Sequence, residues 1–152
     1  MTKVPRQSIK SHSKTSSQIS KNNQKSYPFL IAAITGGKVS VPGLPPKPEL
    51  SLQGDTQFAW LLEKMGCSVS HNSSKNELTV TGPSNGVHGL RSVEVDMNTM
   101  TDAFLGLCCV AAVSKGTTRI TNIANQRVKE CNRIEAMVNE LTKCGVTCRE
   151  LE

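Results

Sequence analysis

Apolar positions along the chain recur with helical and strand periods, and glycines fall where one gives way to the other. Phe29-Leu30-Ile31-Ala32-Ala33-Ile34, ended by Gly36-Gly37, reads as the tail of a buried helix. Pro28 should block its extension upstream, leaving about two turns. A strand over 38–41 and a Pro-rich loop over 42–48 follow. Gly54-Asp55 opens a helix over 56–65 with Phe58, Leu61, Leu62 and Met65 on one face, and Gly66 ends it. Strands are expected over 67–70 and 78–81, around a polar turn near 72–76, with a loop over 82–89. Val93, Val95 and Met97 alternate with Glu94 and Asp96, the period of a strand with one buried face. Met100-Thr101-Asp102 begins an apolar helix over 103–113 that ends near Lys115-Gly116, and a β-branched strand covers 117–123. The last helical pattern runs from about Asn125 to Cys144, with Val128, Cys131, Ile134, Val138 and Leu141 as its apolar stripe. Gly145 ends it, and a strand should begin over 146–149.

Four segments thus share the form helix, glycine, strand, with the glycine at Gly37, Gly66, Gly116 and Gly145, spaced 29, 50 and 29 residues apart. A short–long–short rhythm implies a unit of about 80 residues holding two helix–strand pairs and an extra hairpin strand. That predicts an α/β architecture whose helices cross over to strands of a common sheet. Gly36-Gly37 acts as a helix stop and matches no nucleotide-binding fingerprint.

The start of the last helix is the richest stretch in chemistry. Asn125 can cap the unpaired backbone N–H groups of the first turn. Lys129 and Arg133, four residues apart, should project from one helix face. Two cations beside exposed N–H groups and a helix dipole suit an anion. The residues alone also allow a solvated helix face with a polar cap.

Length and charge narrow the classes. The chain of 152 residues has room for one ordinary domain. No apolar run is long enough for a membrane helix, and no signal-peptide core is present at the start. The net charge of +6 lies in residues 1–26, which carry Lys3, Arg6, Lys10, Lys14, Lys21 and Lys25 without an acid; the remainder balances to zero. This Ser-, Lys-, Gln- and Asn-rich leader has too few large apolar residues to offset its ordering entropy, so it is expected to be disordered. Its lack of acids suits a transit peptide, whereas a single Arg and weak amphipathicity do not. With Trp60, Tyr27 and three Phe as the only aromatics, stacking platforms for nucleic acid are not expected. Cys67, Cys108, Cys109, Cys131, Cys144 and Cys148 form no C-x-x-C pair, and His12, His71 and His88 are scattered, so no zinc spacing exists. Reduced thiols in a cytoplasmic protein are the expectation.

The literal residues Asn125-Gln126-Arg127-Val128-Lys129-Glu130-Cys131-Asn132-Arg133 resemble the signature of 5-enolpyruvylshikimate-3-phosphate (EPSP) synthases. The Cys131-Asn132 variant is similar to the fungal form, where this enzyme is one domain of the multifunctional arom polypeptide. Ser51-Leu52-Gln53-Gly54-Asp55, Leu62-Glu63-Lys64-Met65-Gly66-Cys67, Val95-Asp96-Met97-Asn98 and Met100-Thr101-Asp102-Ala103-Phe104 follow the family order, so the resemblance runs from about Phe29 to the C-terminus. It implies part of an inverse α/β barrel, just under two βαβαββ repeats, preceded by a leader over 1–26. It implies transfer of the enolpyruvyl group of phosphoenolpyruvate to the 5-hydroxyl of shikimate 3-phosphate, in aromatic amino acid biosynthesis, without metal or organic cofactor. By motif, Asp102 matches the acid that takes the hydroxyl proton and holds the shikimate ring. Asn125 and Lys129 match contacts to shikimate 3-phosphate, and Lys129 also suits charge in the tetrahedral intermediate. Glu130 matches a carboxylate placed for proton exchange at the methylene carbon. Arg133 matches a guanidinium gripping the phosphoenolpyruvate carboxylate. The family's other half-domain, with further substrate contacts, has no counterpart here and is expected in cis or in trans. The chain alone is therefore expected to be inactive, and poorly soluble through exposed strand edges. A non-catalytic module that reaches an acidic partner through its basic tail is the alternative.

Overall fold

The computed structural model describes residues 26–50 and 54–151, without the side chain of Asp55. The leader up to residue 25 and the Ser51-Leu52-Gln53 block lie outside the described residues. Helix α1 (Ser26–Thr35) begins three residues earlier than expected. Pro28 falls in its first turn, where the missing N–H would have had no intrahelical acceptor. Ser26, counted with the leader from composition, is thus the buried first residue of a helix. Phe29, Ala32 and Ala33 face the core, and Gly36 stops the helix in the left-handed region (φ +71°).

Strand β1 (Lys38–Pro42) and the hairpin of β2 (Ser68–Asn72) and β3 (Glu77–Thr81) form an antiparallel sheet in the order β1-β3-β2. Its register sets Val39 and Val69 on either side of Val80, and Leu78, Thr79 and Val80 of the central strand are buried. This hairpin is the extra strand implied by the long glycine interval. Strands β4 (Glu94–Asp96) and β5 (Arg119–Thr121) pair in parallel through helix α3 (Phe104–Val113), with Val95 opposite Ile120. The strands therefore make two sheets, and the expectation of one common sheet is corrected. After β3 the chain turns away through a short 3-10 turn, Gly86–Gly89, before β4 begins.

Helix α2 (Phe58–Lys64) is preceded by a 3-10 turn, Gly54–Gln57, so the expected helix over 56–65 is split in two. A side chain at Gly54 would put its Cβ 1.2 Å from the Thr99 carbonyl oxygen, so only glycine lets this turn rest on the segment leading to Asp102. Phe29, Phe58, Leu62, Leu78, Val80, Leu107 and Val110 share one core, each large apolar side chain contributing about 2 kcal/mol. Cys67 and Cys108 belong to that core, and desolvation pushes their thiols up to about 11 and about 12.

Helix α4 (Arg133–Lys143) ends at Gly145 (φ +81°), where the Gly145 N–H donates to Thr142 O and the Val146 N–H to Leu141 O. That is the double C-terminal closure in which the chain reverses over the last turn. Residues 146–149 are consequently drawn back against α4, and the expected strand does not form. Among the described residues the order is αβαββ followed by βαβα: one βαβαββ unit without its first strand, then a second without its last two.

Candidate active site

Asp102 is the middle residue of a 3-10 turn, Thr101–Ala103, that leads into α3. Facing it is the segment after β5. Asn125 and Gln126 lie in another 3-10 turn, Ala124–Val128, Lys129 is extended, and Arg133 opens α4. The expected continuous helix from Asn125 to Cys144 is therefore broken, and Lys129 and Arg133 do not share a helix face. The break has a local cause. Asn132 adopts an extended conformation, and its Oδ1 accepts the Glu135 N–H at 3.3 Å while its Nδ2 donates to Glu135 Oε2 at 3.2 Å. This reciprocal cap starts the helix at residue 133. The capping role expected of Asn125 belongs to Asn132, and Asn125 donates instead to Thr101 Oγ1 at 3.2 Å.

Both cations nevertheless reach the same acid. Lys129 Nζ lies 3.3 Å from Asp102 Oδ1, and Arg133 Nη1 lies 3.8 Å from the same oxygen. Arg133 Nη2 pairs with Glu130 Oε2 at 2.5 Å. Its Nη1 also donates to Gln126 Oε1 at 3.1 Å. Glu130 is exposed, and its own backbone N–H, then the Arg133 guanidinium, hold its carboxyl below the usual range. All five residues singled out by motif thus gather at one place. The site also recruits Gln126, whose side chain is fully buried and donates to Asn125 Oδ1 at 3.4 Å. Gln126 lies inside the motif but is not among its five candidate residues. A polar residue between two motif positions was the available signal. Arg127, by contrast, turns away and forms a two-nitrogen ion pair with Glu150 that ties the 3-10 turn to the segment after α4.

Beside the cluster lies an open depression of about 410 Å³ lined by Asn98, Asn122, Ala124 and Asn125. Two of its lining residues are held by Asp96, whose Oδ1 accepts the Asn98 N–H at 2.8 Å and whose Oδ2 accepts from Asn122 Nδ2 at 2.7 Å. Those two bonds hold the Asp96 carboxyl below its ordinary value. Asn122 is left-handed (φ +58°), a conformation Asn tolerates. The ionic cluster and the amide-lined depression meet at Asn125, which belongs to both.

A family model described as EPSP synthase (3-phosphoshikimate 1-carboxyvinyltransferase) matches residues 12–152, a range that begins inside the basic leader. The pentafunctional AROM polypeptide of Yarrowia lipolytica is 55% identical over 127 residues, covering 83% of this chain and 8% of its own length. Two solved structures of EPSP synthase from Acinetobacter baumannii match with a TM-score of 0.54 and 22% identity; each covers 87% of this chain, which spans 28% and 27% of theirs. That likeness bears out a mixed α/β fold of the inverse α/β barrel kind. The chain spans well under a third of these relatives. With the family model matching nearly its whole length, the chain belongs to the EPSP synthase family.

Proposed function

We propose that the cluster of Asp102, Lys129 and Arg133 is one wall of an enolpyruvyl-transfer site. The reaction joins phosphoenolpyruvate to the 5-hydroxyl of shikimate 3-phosphate and releases phosphate. The observation that carries this reading is the convergence of Lys129 and Arg133 on Asp102 Oδ1 from two separate backbone segments, in a chain of this family. Asp102 takes the proton of the attacking hydroxyl as its oxygen bonds to C2 of phosphoenolpyruvate and the methylene carbon gains a proton. Loss of phosphate from C2 and of a methyl proton then restores the double bond. Asn125 and Lys129 hold shikimate 3-phosphate, and Lys129 stabilises charge in the tetrahedral adduct. Glu130 serves proton exchange at the methylene carbon. Arg133 grips the phosphoenolpyruvate carboxylate, for which its planar fork is suited.

The remaining substrate contacts come from a complementary part of the enzyme, in cis or in trans, because positioning from both sides supplies much of the rate. We place the activity in the cytoplasm, in aromatic amino acid biosynthesis, and assign the site no nucleic-acid role; no described helix is long and apolar enough to cross a membrane.

The test is nuclear magnetic resonance titration of the purified chain with each substrate, alongside a phosphate-release assay with Asp102→Ala as control. Both substrates should shift the signals of Asn125, Lys129 and Arg133, without turnover. Turnover that disappears in Asp102→Ala would mean that self-association completes the site. No shift at millimolar substrate would overturn the reading.

A further inference from the structure

Every charged group of the cluster is partly open to solvent, yet the amide at its centre, Gln126, is fully buried. Both ends of that amide are engaged. Its Oε1 accepts from Arg133 Nη1 at 3.1 Å, and its Nε2 donates to Asn125 Oδ1 at 3.4 Å. These directions cannot be exchanged. A guanidinium has only donors, so the oxygen of Gln126 must face Arg133 and its NH2 must face Asn125. Asn125 must then turn its oxygen to Gln126 and its NH2 to Thr101 Oγ1, at 3.2 Å. Thr101 precedes Asp102, whose Oδ1 lies 3.8 Å from Arg133 Nη1 and closes the circuit.

We infer that Gln126 is a positioning residue that fixes the guanidinium plane of Arg133 and the amide direction of Asn125 together. The two sides of the site, one for phosphoenolpyruvate and one for shikimate 3-phosphate, are thereby aligned by one buried side chain. Naming those sides rests on the function proposed above; the relay itself rests on geometry. The only other hydrogen bond of the Arg133 guanidinium among the described residues is donated to Glu130, which is 77% exposed and holds its outer edge. Gln126 grips it from the buried side. Asparagine would be one methylene too short to span both neighbours. Glutamate could still accept from Arg133 but has no N–H for Asn125, and an apolar residue would serve neither.

The experiment is ¹H–¹⁵N spectroscopy of the arginine side chains and the asparagine and glutamine amides in the full chain. Wild type should show resolved Nη–H signals for Arg133, because a guanidinium held on two edges rotates slowly. In Gln126→Met, which keeps length and removes both polar ends, those signals should merge with the averaged arginine envelope and the Asn125 amide should shift. Gln126→Glu should leave Arg133 resolved and displace only Asn125, and this split is the response that mere space-filling would not produce. Phosphoenolpyruvate, titrated in parallel, should bind Gln126→Met about tenfold more weakly, the loss expected when one charge-assisted hydrogen bond stops holding its anion-binding group. Resolved Arg133 signals in Gln126→Met, or equal disturbance of Arg133 and Asn125 in Gln126→Glu, would overturn the inference. If the Met variant does not fold, the Glu variant decides alone. The expected spectra, with phosphoenolpyruvate binding to no form of the chain, would sink the enolpyruvyl reading and leave the relay standing.

Discussion

Replacing Asp102 with Asn keeps the shape of the side chain and removes one charge from a cluster in which two cations face two carboxylates. The stability cost should be small. The side chains of Asp102, Lys129 and Arg133 are 45%, 35% and 20% exposed, so their ion pairs fall in the weak, solvent-screened regime. Two such pairs together are worth about 1 kcal/mol, or a melting-temperature shift of about 3 °C for a domain of this size. The effect on anions should be larger and of opposite sign, because four charges that sum to zero become a net positive set. One unit charge acting on a dianion about 6 Å away is worth about 1.4 kcal/mol in water, which is about tenfold in affinity. Screening at physiological ionic strength reduces this to about threefold. Calorimetric titration with inorganic phosphate at low and at physiological salt, beside thermal unfolding, measures both quantities. Asp102→Asn should bind phosphate more tightly, with a gain that shrinks as salt rises. Weaker phosphate binding, or a stability loss above about 3 kcal/mol, would refute the reasoning and mark Asp102 as the anchor of the two cations instead of their competitor for an anion.

Other outcomes follow from single contacts. Asn132→Ala should lower stability by about 1 kcal/mol with loss of helical signal from α4, whereas Asn125→Ala should spare that signal; circular dichroism with urea titration separates them. Gly54→Ala should cost on the order of 3 kcal/mol in the same titration, since its Cβ would overlap the Thr99 backbone and push the turn that carries Asp102. At pH 8 a thiol-alkylating reagent should label Cys131 and Cys144 rapidly in the native chain, and Cys67 and Cys108 only after unfolding. Because burial pushes the two core thiols up to about 11 and about 12, raising the pH to 9 should still leave Cys67 and Cys108 unlabelled in the native chain, as mass spectrometry of the labelled peptides would show.

The stripe of α2 and the turn-forming glycines were legible because burial periodicity and left-handed backbone leave marks at single positions, whereas Val128 and Cys131 of the last expected stripe are exposed and precede α4. Gly66, Gly116 and Gly145 adopt positive φ, and in the first pair it is Gly36, not the Gly37 counted in the repeat, that does so. The partition into two sheets left no such mark, since pairing depends on which strand edges meet, and β4 and β5 are only three residues long. Val146 and Thr147 carry strand-forming side chains, but the backbone closure at Gly145 decides their course. The five candidate residues were legible as a motif, although the geometry that brings them together was not. Helical spacing put Lys129 and Arg133 together for the wrong reason, because two asparagines competed for one cap. The Asn132-x-x-Glu135 pattern of the winner was already present in the sequence. Gln126 stayed hidden because burial of a polar side chain cannot be read from its type.

The break between the 3-10 turn and α4 also has an entropic meaning. Arg133 hangs from a capped helix, while Lys129 sits on a short extended tether flanked by Val128, 83% exposed, and Glu130, 77% exposed. The two cations are therefore mounted on unlike backbone, one on a hydrogen-bonded helix and one on an extended link. Whichever anion first immobilises the tether bears the ordering cost for the whole wall, and a second ligand meets a surface already set. Two anions held on this wall without touching would then favour each other's binding, through the order that one leaves behind for the other.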